Sequence, residues 1–600
     1  MIPVSANWTN AVRQQFRYQA YMRTRIKVVP PGLAEGLVID RADGEAYADK
    51  EVLFNESPDL PQHYITCEPH RWLLDGTFKS LPDNTKVDDW WSLPLTESRF
   101  LQFTFDKPYT IPGIYVEWDL VNNTFPEEIV LRGFNILGAK SYEYTVTNIT
   151  SSKGFIVAEM DDVKSYEIEI VKWGFSGWRC RINEIMFGLK VSYDSINNGR
   201  ILSATFLNKS DPTANELPWR TVSTSLRNLD IEFDPTLRKG ISKYLVQKQL
   251  AEYQLGFTTA VNPLTGEATV EWTDWMTYWV DSLKIPADSK NAIIDATSRL
   301  SFLTKDFIDD SYNVQERTLY DLAQTVLLKS DIVKKDEDEV AWRISDRLKQ
   351  VKTTAYVPKT ETNAVLQLIA NASACWLHSD PVTDQVILED LTGATPVQEV
   401  NLTSELGDPE IVLDKHLLAI RVGINKYEID TEEREIAKGE YLLKGRSTLE
   451  ISYGSGAAVE VKCELSGATQ VSFTPYGTAA VLVVDAPSEG ATVKVSLKGK
   501  KILETTSYIE TYRDLITPSG TTVTIENPFI TNSETAKLVS DFVLAWYNRS
   551  MQYSIPYIGY PELVAGDQIL LKTIYDEHTV TTISNTIEFN GAFKGKLEAK

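Results

Sequence analysis

Asn590-Gly591 lies between two alternating runs, Thr579 to Glu588 and Ala592 to Glu598, and no other stretch constrains its own fold as tightly. Asn-Gly between alternating segments is the strongest short-range hairpin signal. Just before it, Gly566-Asp567 separates two apolar runs, which is turn chemistry between strands. Upstream, Ser533 to Arg549 has helical spacing, with Ala536, Val539, Phe542, Val543 and Trp546 on one face. Ser533 is expected to cap this helix, and Glu534 places a carboxylate at its positive end.

A helix, then Tyr560-Pro561-Glu562-Leu563-Val564-Ala565-Gly566-Asp567, then a closing hairpin: this order resembles the end of the hub proteins at the tip of phage tails, also called baseplate hub or tail-associated proteins. On its residues alone the same stretch also fits a generic terminal β-subdomain. The rest of the chain bears on the choice.

A chain of 600 residues predicts about four domains at roughly 150 residues each. With 43% hydrophobic residues, each can bury a core. The formal charge of −23 argues against a surface for specific nucleic-acid binding, which needs clustered Lys and Arg, and against adsorption to an anionic membrane. No apolar run approaches the ~20 residues of a membrane-spanning segment. Met1 to Ala11 lacks the profile of a secretory signal, so synthesis in the cytoplasm is expected. Four cysteines, Cys67, Cys180, Cys375 and Cys463, lie far apart and imply no disulfide framework.

Trp8 to Tyr21 fits a short amphipathic helix, and Thr24 to Val29 a strand stopped by Pro30-Pro31-Gly32. From about Asp43 to Gly188 tryptophans gather and short strands alternate with Pro and Gly turns, the pattern of an all-β sandwich. Trp72-Leu73-Leu74-Asp75-Gly76, Asp89-Trp90-Trp91-Ser92, the strand Phe100 to Asp106, Ile111 to Trp118 and the close Trp178 to Gly188 occur in the order of a discoidin-type, galactose-binding-like jelly roll, which this segment resembles. After it the hub resemblance resumes as an order of elements. Strands are expected at Ile201 to Phe206, Ser225 to Phe233, Tyr244 to Leu255, Val270 to Trp272, Met276 to Val280 and Asn291 to Thr297, with a helix starting at Leu300 to Phe307. Helices are predicted over Thr318 to Lys329 and Thr362 to Ala374, and strands over Cys375 to His378 and Gln385 to Glu389. Lys334 to Glu339 reads as a charge-rich loop. Leu418 to Ile429 and Ser507 to Tyr512 read as strands of one domain, interrupted by a small Gly/Ser/Val-rich insertion.

Candidates for chemistry are few. His63, Cys67 and His70, with distant Cys180, have loosely metal-like spacing, but no second pair completes a zinc set. Nucleophile elbows, zincin motifs and phosphate loops are missing. Carboxylate pairs such as Asp161-Asp162 and Asp309-Asp310 are what so acidic a chain carries on solvated faces. Trp90, Trp91, Trp173 and Trp178 are the ligand candidates: an indole face complements the C–H face of a sugar, and discoidin-like modules hold ligands with loop aromatics. The competing reading places Trp91 and Trp178 in the sandwich core.

The expected fold is mainly β with α+β parts and multidomain. It comprises a hub split β-barrel from 1–45 and 191–312, an inserted discoidin-like jelly roll at 46–190 and an α+β hub domain at 313–410. A C-terminal hub barrel with helix follows at 411–444 and 507–600, interrupted by a small β-sandwich at 445–506. The resemblance implies a non-enzymatic virion protein without cofactors or metal, a homotrimeric ring at the tail tip that closes the tube and opens for DNA passage. Its implied partners are the distal tail protein, the tape measure protein, tail fibre or receptor-binding proteins, and a host cell-wall glycan on the discoidin-like insertion. Negative charge suits a conduit for DNA, since like charge prevents sticking. The alternative is a carbohydrate-active enzyme with an appended discoidin-like binding module.

Overall fold

The computed structural model describes residues 1–14, 16–28, 33, 38–41, 65–66, 100–118, 123–173, 181–196, 199–229, 233, 245, 247–286, 290–310, 315–330, 341–390, 398–401, 404–407, 409–413, 417–454, 456–513, 520–549, 551–573 and 576–600. Strand predominates, and four separate hydrophobic cores make the chain multidomain.

The largest sheet has fourteen strands among the described residues, and its main path is built from β1 (Ala20–Val28), β2 (Leu189–Asp194), β3 (Ile201–Lys209), β4 (Trp219–Arg227), β5 (Leu250–Val261), β6 (Met276–Lys284), β7 (Asn291–Thr297), β8 (Glu410–Leu413), β9 (Met551–Tyr557), β10 (Glu577–Phe589) and β11 (Phe593–Ala599). Its path runs β8-β9-β11-β10-β3-β4-β7-β6-β5-β1-β2, and every pairing along it is antiparallel. Alternate residues of β1, Ala20, Met22 and Ile26 among them, are buried, as period two requires of a sheet covered on one side. Ile26, Phe206, Leu255, Ile294, Ile555 and Leu597 share one core, so strands from both halves of the path enclose a common interior. Split barrels were the expectation; no closed barrel occurs among the described residues, because the path ends on β8 and β2.

Local chemistry sets the details. Across the terminal hairpin Phe589 faces Phe593, so the loop is Asn590-Gly591-Ala592, and Gly591 at φ +96° takes the left-handed conformation. The first helix covers only Ala6–Val12, capped by Ser5, because Ala20 already pairs with Phe257 in β5. Helix Ser533–Tyr547 is capped by Asn532, whose side chain accepts from Thr535 N at 2.8 Å; Ser533 is its first residue, not its cap. At Leu300 only a single 3₁₀ turn forms, Arg299–Phe302, since Phe307 N donates to Thr360 O and Asp306 pairs with Glu361. β4 ends at Arg227, and β5 starts only at Leu250.

Helices Leu319–Lys329, Thr362–Ala372 and Ser533–Tyr547 pack with a three-stranded sheet of Trp342–Ile344, Val386–Glu389 and Trp376–Ser379 around the second core. Seven strands, among them Phe100–Trp118, Pro126–Phe134 and Lys153–Trp173, form an antiparallel sheet over a third core that includes Phe103, Trp118, Tyr166 and Phe187.

Two very long strands, Leu417–Ser452 and Ala479–Tyr512, pair antiparallel from Ala419 with Tyr512 to Ser452 with Ala479. Their lower ends pack Ile420 and Val422 against Val539 of the last long helix. Beyond Glu433 they carry a small unit of their own. Ala458–Ser466 adds to one stretch of the second long strand and Thr469–Pro475 to another, and the register breaks between Leu443 and Gly445, where Gly445 has φ +66°. Ile436, Leu482, Val484, Val493 and Leu497 meet in the fourth core, the pattern of strands that switch layers through bulges.

Candidate functional site

Trp90, Trp91 and Trp178 lie outside the described residues, as do His63, Cys67, His70, Cys180 and the loop 334–339. Trp173 is the last residue of its strand, opposite Pro126. Of the carboxylate pairs, Asp309 and Asp310 diverge: Asp309 binds Arg317 at 2.7 Å and Asp310 binds Lys329 at 2.7 Å. Cys375 and Cys463 are free thiols, and burial pushes Cys375 up to about 11. Among the described residues no group of three or more His, Cys, Asp or Glu is arranged for a metal, and no helix is long and apolar enough to cross a membrane.

The structure instead brings together residues that no sequence motif links. A cleft of about 420 Å³ opens where the end of β3, the start of β4, the three-stranded sheet and the loop Val564 to Gln568 converge. Its wall rests on Trp376, whose Nε1 donates to Ser210 Oγ and whose ring stacks on His378 at 3.8 Å and 15°. His378 Nε2 and Glu389 Oε1 are 2.8 Å apart, and Arg343 Nη2 donates to Glu389 Oε2 at 2.7 Å. Burial would raise the Glu389 carboxyl, but His378 and Arg343 outweigh it and hold it below the ordinary range. Asp380 follows the same logic: burial opposes ionisation, and the backbone N–H groups of Thr383 and Val382 reverse the balance.

Behind this wall Asp384, at φ +57° and fully buried, binds Arg220 Nη2 and accepts from Trp279 Nε1 at 2.7 Å and Arg299 N at 3.1 Å. Arg220 itself lines the cleft, with its Nε and Nη1 lacking a hydrogen-bond partner. Trp219, its neighbour on β4, also lines the cleft and is 52% exposed, whereas Arg220 is buried. The strand expected at Ser225 to Phe233 in fact begins at Trp219, and nothing local in the sequence signals the cleft beside it.

A second feature is the sheet's edge. β8 pairs with β9 on one side and with no strand on the other among the described residues, and all four of its residues are exposed. Leu413 is 71% exposed, with Ile411 and Val412 beside it and Leu406 nearby in sequence. Exposed apolar edge strands are templates for pairing with another chain.

No family model matches the chain, and no curated protein matches it. Solved structures similar to it include tail proteins. The tail protein from Neisseria meningitidis MC58 is 8% identical, with 69% of this chain and 93% of that one covered and a TM-score of 0.37. The 43 kDa tail protein of prophage MuSo2 from Shewanella oneidensis is 9% identical, with 68% and 95% covered and a TM-score of 0.37. Prophage tail protein gp18 from Listeria monocytogenes EGD-e is 9% identical, with 69% and 91% covered and a TM-score of 0.33. These likenesses are loose, and the chain's own edges and residues have to carry any reading of its role.

Proposed function

We propose that the chain is a non-enzymatic structural component of a phage or phage-like tail tip, a hub whose copies join into a closed trimeric ring. The observation that supports this reading most directly is the open sheet with an apolar outer strand, β8. Among the described residues one end of the path is the edge β8 and the other a different edge, β2, so a head-to-tail contact between copies is available, and such contacts close into a ring when the rotation allows. The C-terminal order of helix, Tyr-Pro-x-Leu-x-x-Gly-Asp loop and hairpin supports the same reading, since those strands lie inside the sheet that carries both edges. In this role the ring closes the tube, meets the distal tail and tape measure proteins, and opens for DNA. The segment 46–190 is a discoidin-like insertion, with Trp90, Trp91, Trp173 and Trp178 toward a cell-surface glycan.

Light scattering on the full chain during size exclusion tests the ring. The expected species is three times the 67.6 kDa monomer, and Val412→Lys with Leu413→Asp should return it to monomer without loss of folding. A wild-type chain that stays monomeric up to about 100 μM, far above the Kd of a stable interface, overturns the reading.

A further inference from the structure

We propose that the cleft beside Trp219 is a binding site for a neutral saccharide, separate from the tryptophans of segment 46–190. The proposal rests on the cleft alone and stands or falls independently of the tail reading.

The volume of about 420 Å³ lies within the roughly 300–1,000 Å³ range of small-ligand pockets. Trp219 supplies a flat, half-exposed apolar face at a concave site, the group that complements the C–H face of a pyranose. The polar groups around it decide the ligand's charge. Lys209, Arg220 and Arg343 face the same cleft as Asp380, Glu389, Asp390 and Asp567. Three cationic against four anionic side chains leave no surplus positive charge to recruit a phosphate or an acidic sugar. Three of those carboxylates are already paired: Glu389 with Arg343, Asp390 with Arg347, and Asp567 with the Met1 amine. A cationic ligand therefore finds little unneutralised charge, and a purely apolar one would desolvate these pairs without replacing their hydrogen bonds.

What remains suits hydroxyls, which donate and accept at once. Glu389 and Asp380, held ionised, accept from them, while Gln568 donates to them. The wall is rigid, because Trp376 is pinned by Ser210, His378 and the close approach of Gly566. Preformed polar groups lose little entropy on binding.

Saturation-transfer NMR and calorimetry on the full chain test this with glucose, galactose, N-acetylglucosamine and rhamnose, beside inorganic phosphate and N-acetylneuraminic acid. At least one neutral sugar should bind with a Kd below about 10 mM. Trp219→Ala, at an exposed position, should weaken it by about tenfold or more, which corresponds to about 1.4 kcal/mol. Gln568→Ala should weaken it less, and Trp173→Ala not at all. The proposal is overturned if no neutral sugar binds, if only the anions bind, or if binding survives in a folded Trp219→Ala chain. Loss of binding in Trp173→Ala but not in Trp219→Ala moves the ligand to segment 46–190 and equally ends it.

Discussion

Gly566 lies directly against the indole of Trp376: a Cβ at position 566 would stand 1.9 Å from the ring, and the residue's φ is +93°. Both facts forbid a side chain there, the first by overlap and the second by backbone strain. Gly566→Ala must therefore displace Trp376 from Ser210 and His378, at a cost of about 2 kcal/mol or more. The expected result is a lowered thermal midpoint together with loss of any ligand response at the cleft. A variant as stable as wild type would show that the Gly566–Trp376 approach is not tight in solution.

Arg220 and Asp384 form a buried ion pair between β4 and the turn that leads into Val386–Glu389. Removing one partner leaves an uncompensated charge, which costs about 3–5 kcal/mol. Asp384→Asn keeps the left-handed backbone that Asn tolerates and loses only the charge, whereas Asp384→Ala adds strain. The expected order of thermal midpoints is wild type, Asp384→Asn, Asp384→Ala. A cycle with Arg220→Met should show that the double variant loses much less than the two single losses added. Strict additivity would mean that the pair does not couple the two elements.

How much of this was legible follows from how local each signal is. The terminal hairpin and helix Leu319–Lys329 are set by neighbours within a few positions: Gly591 in the turn, and Thr318 capping Asp321 N at 3.0 Å. β7 has the bounds expected of it, Asn291 to Thr297, and buries alternate residues along most of its length. The helix expected at Leu300 failed because a distant strand-like partner, Glu361, captures Asp306. The cleft was invisible for the same reason. Trp219, Arg343, His378 and Gln568 are each ordinary in their own segments, and only the packing of three elements against the sheet's end makes them neighbours. Nor does periodicity reveal that the register of Leu417–Ser452 breaks between Leu443 and Gly445, since alternation continues on both sides of the break.

Asn532 and Ser533 offer a small, sharp check on one such local signal. Asn532 Oδ1 takes the amide of Thr535, and Ser533 has no capping role. Asn532→Ala should cost about 1 kcal/mol, and Ser533→Ala less than about 0.5 kcal/mol. Hydrogen exchange of the amides in the first turn of helix Ser533–Tyr547 reads both values. Equal effects would return the cap to Ser533.

Glu562 couples the N-terminal segment to the loop before the closing hairpin in a pH-dependent way. Its carboxylate is 1% exposed, Trp8 Nε1 lies 3.4 Å from Oε2, and Ile2 N donates to its carbonyl at 2.8 Å. Burial raises its pKa, against the opposing pull of the Trp8 N–H and of Arg17 and Arg13, while Tyr557 and Tyr560 stand on the loop side. A carboxyl with a raised folded-state value favours folding while protonated. Its contribution is therefore complete below the unfolded value of about 4.3 and is lost as pH rises through the folded one. Glu562→Gln mimics the protonated form at every pH. The thermal midpoint of wild type, measured relative to Glu562→Gln, should fall steadily from pH 4 towards neutrality, with the other titrating groups cancelling in the difference. A difference that stays flat, or widens towards low pH, would show that Arg13 and Arg17 hold the carboxylate ionised and that burial is not the dominant effect at this contact.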